Sequence, residues 1–243
     1  MSLTHVDHIA IESNDIANSV AWYKNNFRCK VKHQDNTWAL LGFENIQIAL
    51  VLGGGNIYRG RELASLKIDQ VSADYIGMLS TIMNGIALSN FLSSNECANN
   101  LYSSFAIGNF VKAYSKEEAE KTLIENKIAI LVGGLGNPLF TTDSTASVRA
   151  VELNSDIMLK ATTVDGIYSD DPKINKKAIK YDFLTFDEAI TKNLKVMDQT
   201  SLCFCRDNNL DVRVFNADSQ GAILEAITNE NTKIGTLVRL KND

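Results

Sequence analysis

The sequence predicts an α/β fold, a mostly parallel sheet with helices on both faces, preceded by a small βαβββ unit. From Ile46 onward, short apolar runs alternate with helical apolar patterns, as in a parallel sheet covered by helices. Before Ile46, one helical pattern is followed by closely spaced short strands, which favours antiparallel pairing. The 243 residues are 45% hydrophobic and 22% charged, so the chain can bury a sizeable core as one large domain or two smaller ones.

The first elements are those of the βαβββ unit. His5–Ile11 predicts a strand, and Asn14–Asn26 predicts a helix with its larger apolar residues at helical spacing. Cys29–Lys32, Thr37–Leu41 and Ile46–Leu50 predict three further short strands, because turn residues separate them. We expect antiparallel neighbours among these last three strands.

A change of rhythm near Ile46 predicts a boundary, with a segment of residues 1–45 before it and a domain of residues 46–243 after it. Two capping boxes, at Ser115–Glu118 and Thr185–Glu188, predict helix starts in this domain. The predicted strands are Ile46–Leu52, Ile128–Val132, Ile157–Leu159 and Val212–Phe215, and the predicted helices include Tyr75–Leu92, Ser115–Asn126 and Gln220–Thr228.

Composition and termini exclude several classes of function. A net charge of −5 argues against a nucleic-acid coat, which is normally basic. The N-terminus lacks a signal-peptide pattern, and no apolar run approaches the length of a membrane span. The four cysteines lack zinc-ligand spacing and predict reduced, packed thiols. We therefore expect a cytoplasmic protein that binds neither nucleic acid nor membrane.

The most informative stretch is GGGNIYRG at Gly53–Gly60, directly after a predicted strand. Glycines let backbone N–H groups approach a ligand closely, and such a concavity of amides suits phosphate oxygens. Arg59 adds a guanidinium fork for the same anion. A glycine triplet alone is more often a plain turn, so a phosphate-binding role depends on motifs later in the chain.

Polar clusters occur after this loop, most of them at predicted strand ends, where open α/β sheets bind ligands. Gly133–Asp143 combines glycines, two adjacent threonines and a carboxylate, and Lys160–Pro172 begins with a lysine. Asp74 precedes the predicted helix Tyr75–Leu92 and could cap it or accept a ligand hydroxyl, whereas Asp198 could cap a helix or orient a lysine or a hydrated metal. Taken singly, each carboxylate is better interpreted as a helix cap. Lys160 is either a point charge for phosphate or a solvated surface lysine, and the aspartates before Pro172 fit a solvated turn about as well as a functional role.

Together these blocks resemble the bacterial uridylate (UMP) kinases, which have the amino-acid-kinase fold. The resemblance spans about Ile46 to Val238 and implies transfer of the ATP γ-phosphoryl group to UMP, with ATP and Mg²⁺ bound, in a homo-oligomer that is usually hexameric. The matching blocks are GGGNIYRG at Gly53–Gly60, ADYIGML at Ala73–Leu79, GNPLFTTD at Gly136–Asp143, LKATTVDGIYSDDP at Leu159–Pro172, VMD at Val196–Asp198 and RDNNLDVRVFN at Arg206–Asn216.

The resemblance also implies roles for individual residues. UMP would be bound by Gly54, Asp74, Leu135, Gly136, Asn137, Pro138, Leu139, Phe140, Thr141 and Thr142. ATP would be bound by Gly55 and Arg59 at its phosphates and by Thr162, Tyr168 and Asp171 on the adenine–ribose side. The catalytic group would be Arg59, Asp143, Lys160 and Asp198, with both carboxylates near the transferring phosphoryl group and Mg²⁺ and with Lys160 on the donor phosphates. No residue is assigned as a direct metal ligand.

Two features depart from the family pattern. The family normally begins with a strand bearing Lys-Leu-Ser-Gly-Glu, whose lysine bridges the donor and acceptor phosphates. No such motif precedes Gly53, and Lys24, Lys30 and Lys32 do not match its lysine. Leu135 stands where the family usually has threonine, so one hydrogen bond to UMP would be missing.

The first residues resemble something else, one βαβββ unit of the glyoxalase/vicinal-oxygen-chelate superfamily. The resemblance lies in His5–Ile11, Asp15–Lys24 and Asp35–Leu41. That family often places a metal ligand at the position of His8, but a metal site needs three or more protein ligands. We therefore expect His8 to be structural.

Three hypotheses for the function remain open from the sequence. The chain is a UMP kinase, a catalytically impaired nucleotide-binding chimera that lacks the phosphate-bridging strand, or, less favoured, a glyoxalase-type metalloprotein.

Overall fold

The computed structural model describes residues 6–12, 17, 29–34, 38–43, 46–58, 67–172, 174–194, 197–229 and 232–241. In the first three strands the backbone alone is described. Contacts between residues divide the chain into two compact units, Met1–Thr142 and Asp143–Asp243. The boundary predicted near Ile46 falls inside the first unit, and a division of the chain at that residue stays a prediction.

An antiparallel sheet of three strands begins the first unit. Its strands are β1 (Val6–Glu12), β2 (Cys29–Gln34) and β3 (Trp38–Phe43), and β3 lies in the middle. These strands confirm the first three strands predicted for the βαβββ unit. The predicted helix Asn14–Asn26 lies outside the described residues except for Ala17, which is helical.

A parallel sheet with the order β4-β7-β5-β6 comes next in the first unit. Its strands are β4 (Ala49–Val51), β5 (Asn99–Ser103), β6 (Lys112–Ala113) and β7 (Ile128–Val132). The β4 stretch was predicted both as the last strand of the antiparallel group and as a buried strand of the mostly parallel domain. The second prediction is confirmed and the first is wrong, because β4 runs parallel to β7, with Leu50 opposite Ile130. The reason is its continuous apolar sequence, which suits a strand covered on both faces better than a half-exposed antiparallel strand.

One long helix, α1 (Gln70–Ser94), dominates the first unit. Asp69 caps it by accepting hydrogen bonds from the Ser72 backbone N–H (3.0 Å) and hydroxyl (2.7 Å). These bonds lower the pKa of the exposed Asp69 carboxyl. The predicted start at Tyr75 and the predicted capping role of Asp74 are therefore wrong, because the helix begins five residues earlier and Asp69 makes the N-cap hydrogen bond.

By length and composition, α1 is also the one helix in the described part of the chain that could cross a membrane, with a mean hydropathy of 1.2. The expectation that no segment reaches this length is therefore wrong. α1 packs against β5 and β7, and its inner residues Met78 and Ile82 are buried. Core helices of soluble proteins pass the same test, so the finding is weak evidence for a membrane span.

The shorter helix α2 (Lys116–Ile124) begins where its capping sequence predicts. The Ser115 hydroxyl accepts the Glu118 N–H at 3.2 Å. The core under α1 contains Ile82, Val111, Ile130 and Val132.

The second unit has a four-stranded sheet with the order β11-β13-β12-β8. β8 pairs parallel with β12, and β11 pairs parallel with β13, whereas β12 and β13 are antiparallel. The strands are β8 (Ile157–Thr162), β9 (Ile167–Tyr168), β10 (Lys180–Tyr181), β11 (Phe183–Thr185), β12 (Asp211–Asn216) and β13 (Thr236–Arg239), of which β9 and β10 form a separate hairpin. The predicted α/β fold with a mostly parallel sheet is thus confirmed.

Among the residues that the structure describes here, four helices alternate with these strands: α3 (Thr142–Glu152), α4 (Phe186–Thr191), α5 (Gln199–Asp207) and α6 (Ala222–Thr228). The predicted capping box at Thr185 and Glu188 is present, with both reciprocal hydrogen bonds formed. Among the cysteine side chains that the structure describes, Cys97, Cys203 and Cys205 are reduced thiols, as predicted.

Candidate active site

Three polar side chains on one face of α1 form hydrogen bonds with two loops of the first unit. Asp74, Thr81 and Asn84 lie at i, i+7 and i+10, which places them on the same side of a helix. Each hydrogen-bonds a different point in the glycine loop (residues 53–58) or in the β7 loop (residues 133–141), which come after β4 and β7, respectively. α1 is therefore the support on which both loops are fixed.

The glycine loop is tied to α1 by two asparagines. The Asn84 side-chain amide donates to the Gly53 carbonyl at 2.7 Å. Asn56 and Asn84 also pair reciprocally, at 2.7 and 3.0 Å. Ile57 and Tyr58 donate their N–H groups to the Gly54 carbonyl at 3.0 and 3.1 Å, which closes the turn. Arg59, which was predicted to bind phosphate here, lies outside the described residues.

Gly54 and Gly55 lie in different surroundings. A Cβ on Gly54 would lie 2.7 Å from both the Gly77 carbonyl oxygen and the Ser80 Cβ. Gly54 is thus needed for the close approach of the loop to α1. A Cβ on Gly55 would meet no atom of the described residues within 4 Å, so this position leaves space for a ligand beside the backbone.

The β7 loop begins with a glycine in the left-handed region. Gly133 has φ +78°, and its N–H donates to the Thr81 hydroxyl at 2.7 Å. Thr81 in turn donates to the Met78 carbonyl at 2.7 Å. The Ser104 hydroxyl donates to the Gly134 carbonyl. These bonds fix the turn by which the chain leaves the buried end of β7.

Further along the β7 loop, Asp74 holds a strained residue. Leu139 has φ +72°, a left-handed conformation that costs a non-glycine residue on the order of 1–3 kcal/mol. The Leu139 N–H donates to Asp74 Oδ2 at 2.8 Å, and the Gln70 amide donates to Oδ1 at 2.8 Å. The Leu139 side chain is 70% exposed and that of Phe140 is 49% exposed. Asp74 thus presents a fixed carboxylate beside an exposed apolar loop.

The first unit therefore brings together Gly54, Asp74 and the β7 loop, as the UMP-binding prediction requires. The predicted residues of that loop are Leu135, Gly136, Asn137, Pro138, Leu139, Phe140 and Thr141, and Thr142 begins α3. Thr142 also lies near the glycine loop, since a Cβ on Gly53 would be 3.7 Å from the Thr142 hydroxyl oxygen.

In the second unit, Lys160 and Asp143 form an ion pair. Lys160 lies in β8 and Asp143 in the first turn of α3, and Lys160 Nζ is 2.5 Å from Asp143 Oδ2. Their side chains are 20% and 26% exposed, respectively. The interpretation of Lys160 as a solvated surface lysine is therefore wrong, because its charge is held on a specific carboxylate.

Asp198 is the N-cap of α5, as its position predicted. Its carboxylate accepts the Ser201 N–H at 2.9 Å and the Ser201 hydroxyl at 2.7 Å. The Ser144 hydroxyl lies 3.3 Å from each carboxylate oxygen of Asp198. Burial chiefly raises the pKa of the Cys205 thiol, a hydrogen bond with Ser147 lowers it, and the charges of Asp143 and Asp198 raise it slightly further. Asp198 is therefore held by hydroxyls of both Ser144 and Ser201.

Thr162, Tyr168 and Asp171, predicted on the adenine–ribose side, each close a local turn after β8. The Thr162 hydroxyl bonds the backbone of Val164, accepting at 2.9 Å and donating at 2.8 Å. The Tyr168 hydroxyl donates to Asp165 at 2.8 Å, and this bond raises the pKa of the Tyr168 phenol. The Asp171 carbonyl accepts the Asn175 N–H at 2.8 Å, which confirms the predicted turn.

Sequence reasoning missed the residues that support these side chains: Gln70, Thr81, Asn84, Ser144 and Ser201. The sequence does contain a signal for two of these residues, Thr81 and Asn84. Polar side chains that recur at helical spacing inside an apolar helix, as Thr81 and Asn84 do after Asp74, indicate a face with hydrogen-bonding partners.

The described residues contain no group of three or more His, Cys, Asp or Glu side chains that could hold a metal ion. His5 and the side chains of His8 and His33 lie outside the described part of the chain. The structural role expected for His8 therefore stays a prediction.

Comparison with known proteins identifies the family. The sequence pattern of the amino acid kinase family matches residues 32–216. A uridylate kinase of Alcanivorax borkumensis is 44% identical over 193 residues, covering 79% of this chain and 76% of that protein. The crystal structure of UMP kinase from Bacillus anthracis superposes with a TM-score of 0.78 at 37% identity, covering 81% of each chain. That of UMP kinase from Ureaplasma parvum has a TM-score of 0.76 at 40% identity, covering 80% of this chain and 83% of that one.

The family match includes Gly54, Asp74, Asp143 and Lys160, and the chain therefore belongs to the uridylate kinases of the amino acid kinase family.

Proposed function

We propose that this protein transfers the γ-phosphoryl group of ATP to UMP, giving ADP and UDP. The observation that carries the proposal is the Lys160–Asp143 pair, 2.5 Å apart at the start of α3, in a chain 44% identical to a uridylate kinase. Phosphoryl transfer depends mainly on alignment and charge stabilisation, so a fixed lysine and fixed carboxylates are the groups that the reaction needs.

The first unit would bind UMP. Asp74 holds the Leu139 N–H with one carboxylate oxygen and retains lone pairs that can accept a ribose hydroxyl. The exposed Phe140 side chain offers an apolar surface for the base. The glycine loop would supply backbone N–H groups to phosphate oxygens, with Gly54 on the UMP side and Gly55 and Arg59 on the ATP side.

The second unit would act on the donor. Lys160 would exchange its contact with Asp143 for the ATP phosphates, and its ammonium would stabilise charge on the oxygen that leaves with ADP. Thr162, Tyr168 and Asp171 would line the adenine–ribose side. A UMP phosphate oxygen attacks the γ-phosphorus, the new P–O bond forms, and the bond to the ADP oxygen breaks with its electron pair.

The residues present fit Mg²⁺. Ser144, which directly follows Asp143 in α3, lies 3.3 Å from both carboxylate oxygens of Asp198, and Mg²⁺ in kinases is commonly held by one or two carboxylates together with substrate phosphates. Bound there, Mg²⁺ would neutralise part of the phosphate charge. The residues that would hold it are Asp143 and Asp198.

A coupled assay of ADP formation tests the proposal. Purified protein with ATP and Mg²⁺ is expected to form ADP only when UMP is added, and Asp143→Asn is expected to lower this rate strongly. Binding of UMP without turnover would instead support the impaired chimera, because the chain lacks the Lys-Leu-Ser-Gly-Glu strand. A protein that neither binds UMP nor phosphorylates it would refute both hypotheses.

We also propose that the protein is a homo-oligomer. An exposed apolar stripe along α1 supports this: Val71, Tyr75, Leu79, Met83 and Phe91 are 41–64% exposed. Contiguous exposed apolar surface marks interaction sites. Light scattering is expected to give a mass of two or more chains, and Met83→Glu is expected to lower it. A monomeric wild-type protein would refute the proposal.

A further inference from the structure

We propose that Ser144 and Ser201 are positioning residues which fix the Asp198 carboxylate for phosphoryl transfer. The inference rests on the proposed function, because it assigns a role in that reaction to two residues that touch neither UMP nor ATP in the scheme above.

Both serines are buried and aimed at the same carboxylate. Ser201 is 0% exposed and Ser144 is 4% exposed. The Ser201 hydroxyl donates to Asp198 Oδ2 at 2.7 Å, while the Ser144 hydroxyl lies 3.3 Å from both carboxylate oxygens. The two hydroxyl oxygens are 3.3 Å apart. Asp198 is thus held by two side chains from different helices.

Capping alone does not require this arrangement. The Ser201 N–H, which donates to Asp198 Oδ1 at 2.9 Å, already makes the bond that defines an N-cap. The two hydroxyls act in addition, and the Ser201 hydroxyl engages the other oxygen, which restricts rotation of the carboxylate. A carboxylate held at both oxygens is preorganised and need not reorient when charge develops beside it.

The position of Ser144 in the sequence links the two carboxylates. Ser144 directly follows Asp143 in α3, and Asp143 carries the ion pair with Lys160. The contact from Ser144 to Asp198 therefore ties the second carboxylate to the same helical turn as the first. Outer residues that orient charged groups in this way commonly change activity or metal affinity about 10–100-fold when removed.

The chain contains a matched control in Ser147, one turn along α3. Ser147 is also 0% exposed, donates to the Asp143 carbonyl at 2.9 Å and lies 3.3 Å from the Cys205 sulfur on α5. It is a buried serine at the same helix–helix contact, but its described hydrogen bonds go to no carboxylate. Its loss should weaken packing without moving Asp198.

The test compares Ser201→Ala, Ser144→Ala, Ser147→Ala and Ser201→Thr by kcat, KM for each substrate, and Tm. All three alanine variants are expected to lower Tm by about 2–4 °C, since each loses a buried hydrogen bond. Ser201→Ala and Ser144→Ala should lower kcat about 10-fold or more with KM nearly constant. Ser201→Thr keeps a hydroxyl and should retain most of the wild-type kcat. Equal kcat losses in Ser147→Ala, or unchanged kcat in Ser201→Ala, would overturn the inference.

Crystal structures of the wild type, Ser201→Ala and Ser147→Ala give a readout that does not depend on turnover. The Asp198 carboxylate should shift or become disordered only in Ser201→Ala. An unmoved, ordered Asp198 in that variant would overturn the inference even if the wild type phosphorylates UMP. A wild type without UMP-dependent turnover would refute the proposed function and not the placement of Asp198.

Discussion

Gly54 and Gly55, adjacent in the glycine loop, should respond differently to the same added methyl group. The perturbations are Gly54→Ala and Gly55→Ala. Neither glycine has φ in the left-handed region, so alanine introduces no backbone strain at either position. The difference between the two variants therefore reports what surrounds each Cβ.

The expected cost at Gly54 arises from the distances to α1. The new Cβ would lie 2.7 Å from the Gly77 carbonyl oxygen and 2.7 Å from the Ser80 Cβ, where ordinary contacts are 3.4–4 Å. Neither atom belongs to a flexible side-chain end, so the loop must move away from α1. Overpacking of this kind costs about 1–3 kcal/mol, and losing the Asn84 bond to Gly53 adds about 1 kcal/mol.

Gly55→Ala should leave stability unchanged or raise it. No atom of the described residues lies within 4 Å of the new Cβ. Replacing glycine at a compatible position stabilises by about 0.4–1 kcal/mol through the unfolded chain. If Gly55 lies against ATP phosphates, as proposed, the methyl group should instead raise the KM for ATP about 10-fold or more, the equivalent of one lost charge-assisted hydrogen bond.

Thermal unfolding of both variants, together with steady-state kinetics, measures these effects. The total cost of about 2–4 kcal/mol, at about 2–4 °C per kcal/mol in a protein of this size, should lower the Tm of Gly54→Ala by about 4–16 °C relative to the wild type. Gly55→Ala should melt within about 2 °C of the wild type or above it. A Gly55→Ala variant as unstable as Gly54→Ala, or a neutral Gly54→Ala, would refute the reasoning.

Three further predictions concern single contacts. Asp74→Ala removes the acceptor of the Leu139 N–H and should raise the KM for UMP about 10-fold or more in initial-rate assays; an unchanged KM would exclude Asp74 from UMP binding. Lys160→Met should lower kcat about 100-fold or more, because one charge-stabilising donor is lost; a kcat within twofold of wild type would contradict that role. Hydrogen bonds from Thr185 lower the pKa of Glu188, so their stabilisation is present above the unfolded pKa of about 4.3 and is lost as the pH falls. The Tm of Glu188→Gln should therefore fall less steeply than that of the wild type below about pH 5. If the Tm of both proteins falls equally with pH, the stabilising role of the ionised Glu188 in the capping box is contradicted.

Local sequence patterns predicted most elements of the fold but not their long-range pairing. The predicted bounds of β7 are those observed, because a continuous apolar run ends at Gly133, where φ is +78°. The partner of β4 could not be predicted, since Ala49–Val51 pairs with residues far along the chain. The start of α1 was missed because Asp69 has Ser72, and not Glu or Gln, at the third position after it.

In the candidate site, too, local features were predicted from the sequence and long-range contacts were not. The resemblance to uridylate kinases named Asp74, Asp143 and Lys160, but the spacing of the residues did not predict their bonds. The Lys160–Asp143 pair joins residues 17 positions apart and depends on how β8 lies beside α3. The capping role of Asp198 was predicted because it requires only its own helix, whereas the contact with Ser144 requires a second helix.

Transfer of a labelled γ-phosphoryl group tests the central claim most directly. The purified protein is incubated with γ-labelled ATP, UMP and Mg²⁺, and the nucleotides are separated. We predict label in UDP, formed in step with ADP and strongly reduced in Asp143→Asn. Label that stays in ATP, or that appears only as free phosphate while UMP is bound, would contradict this prediction and show that the chain does not phosphorylate UMP.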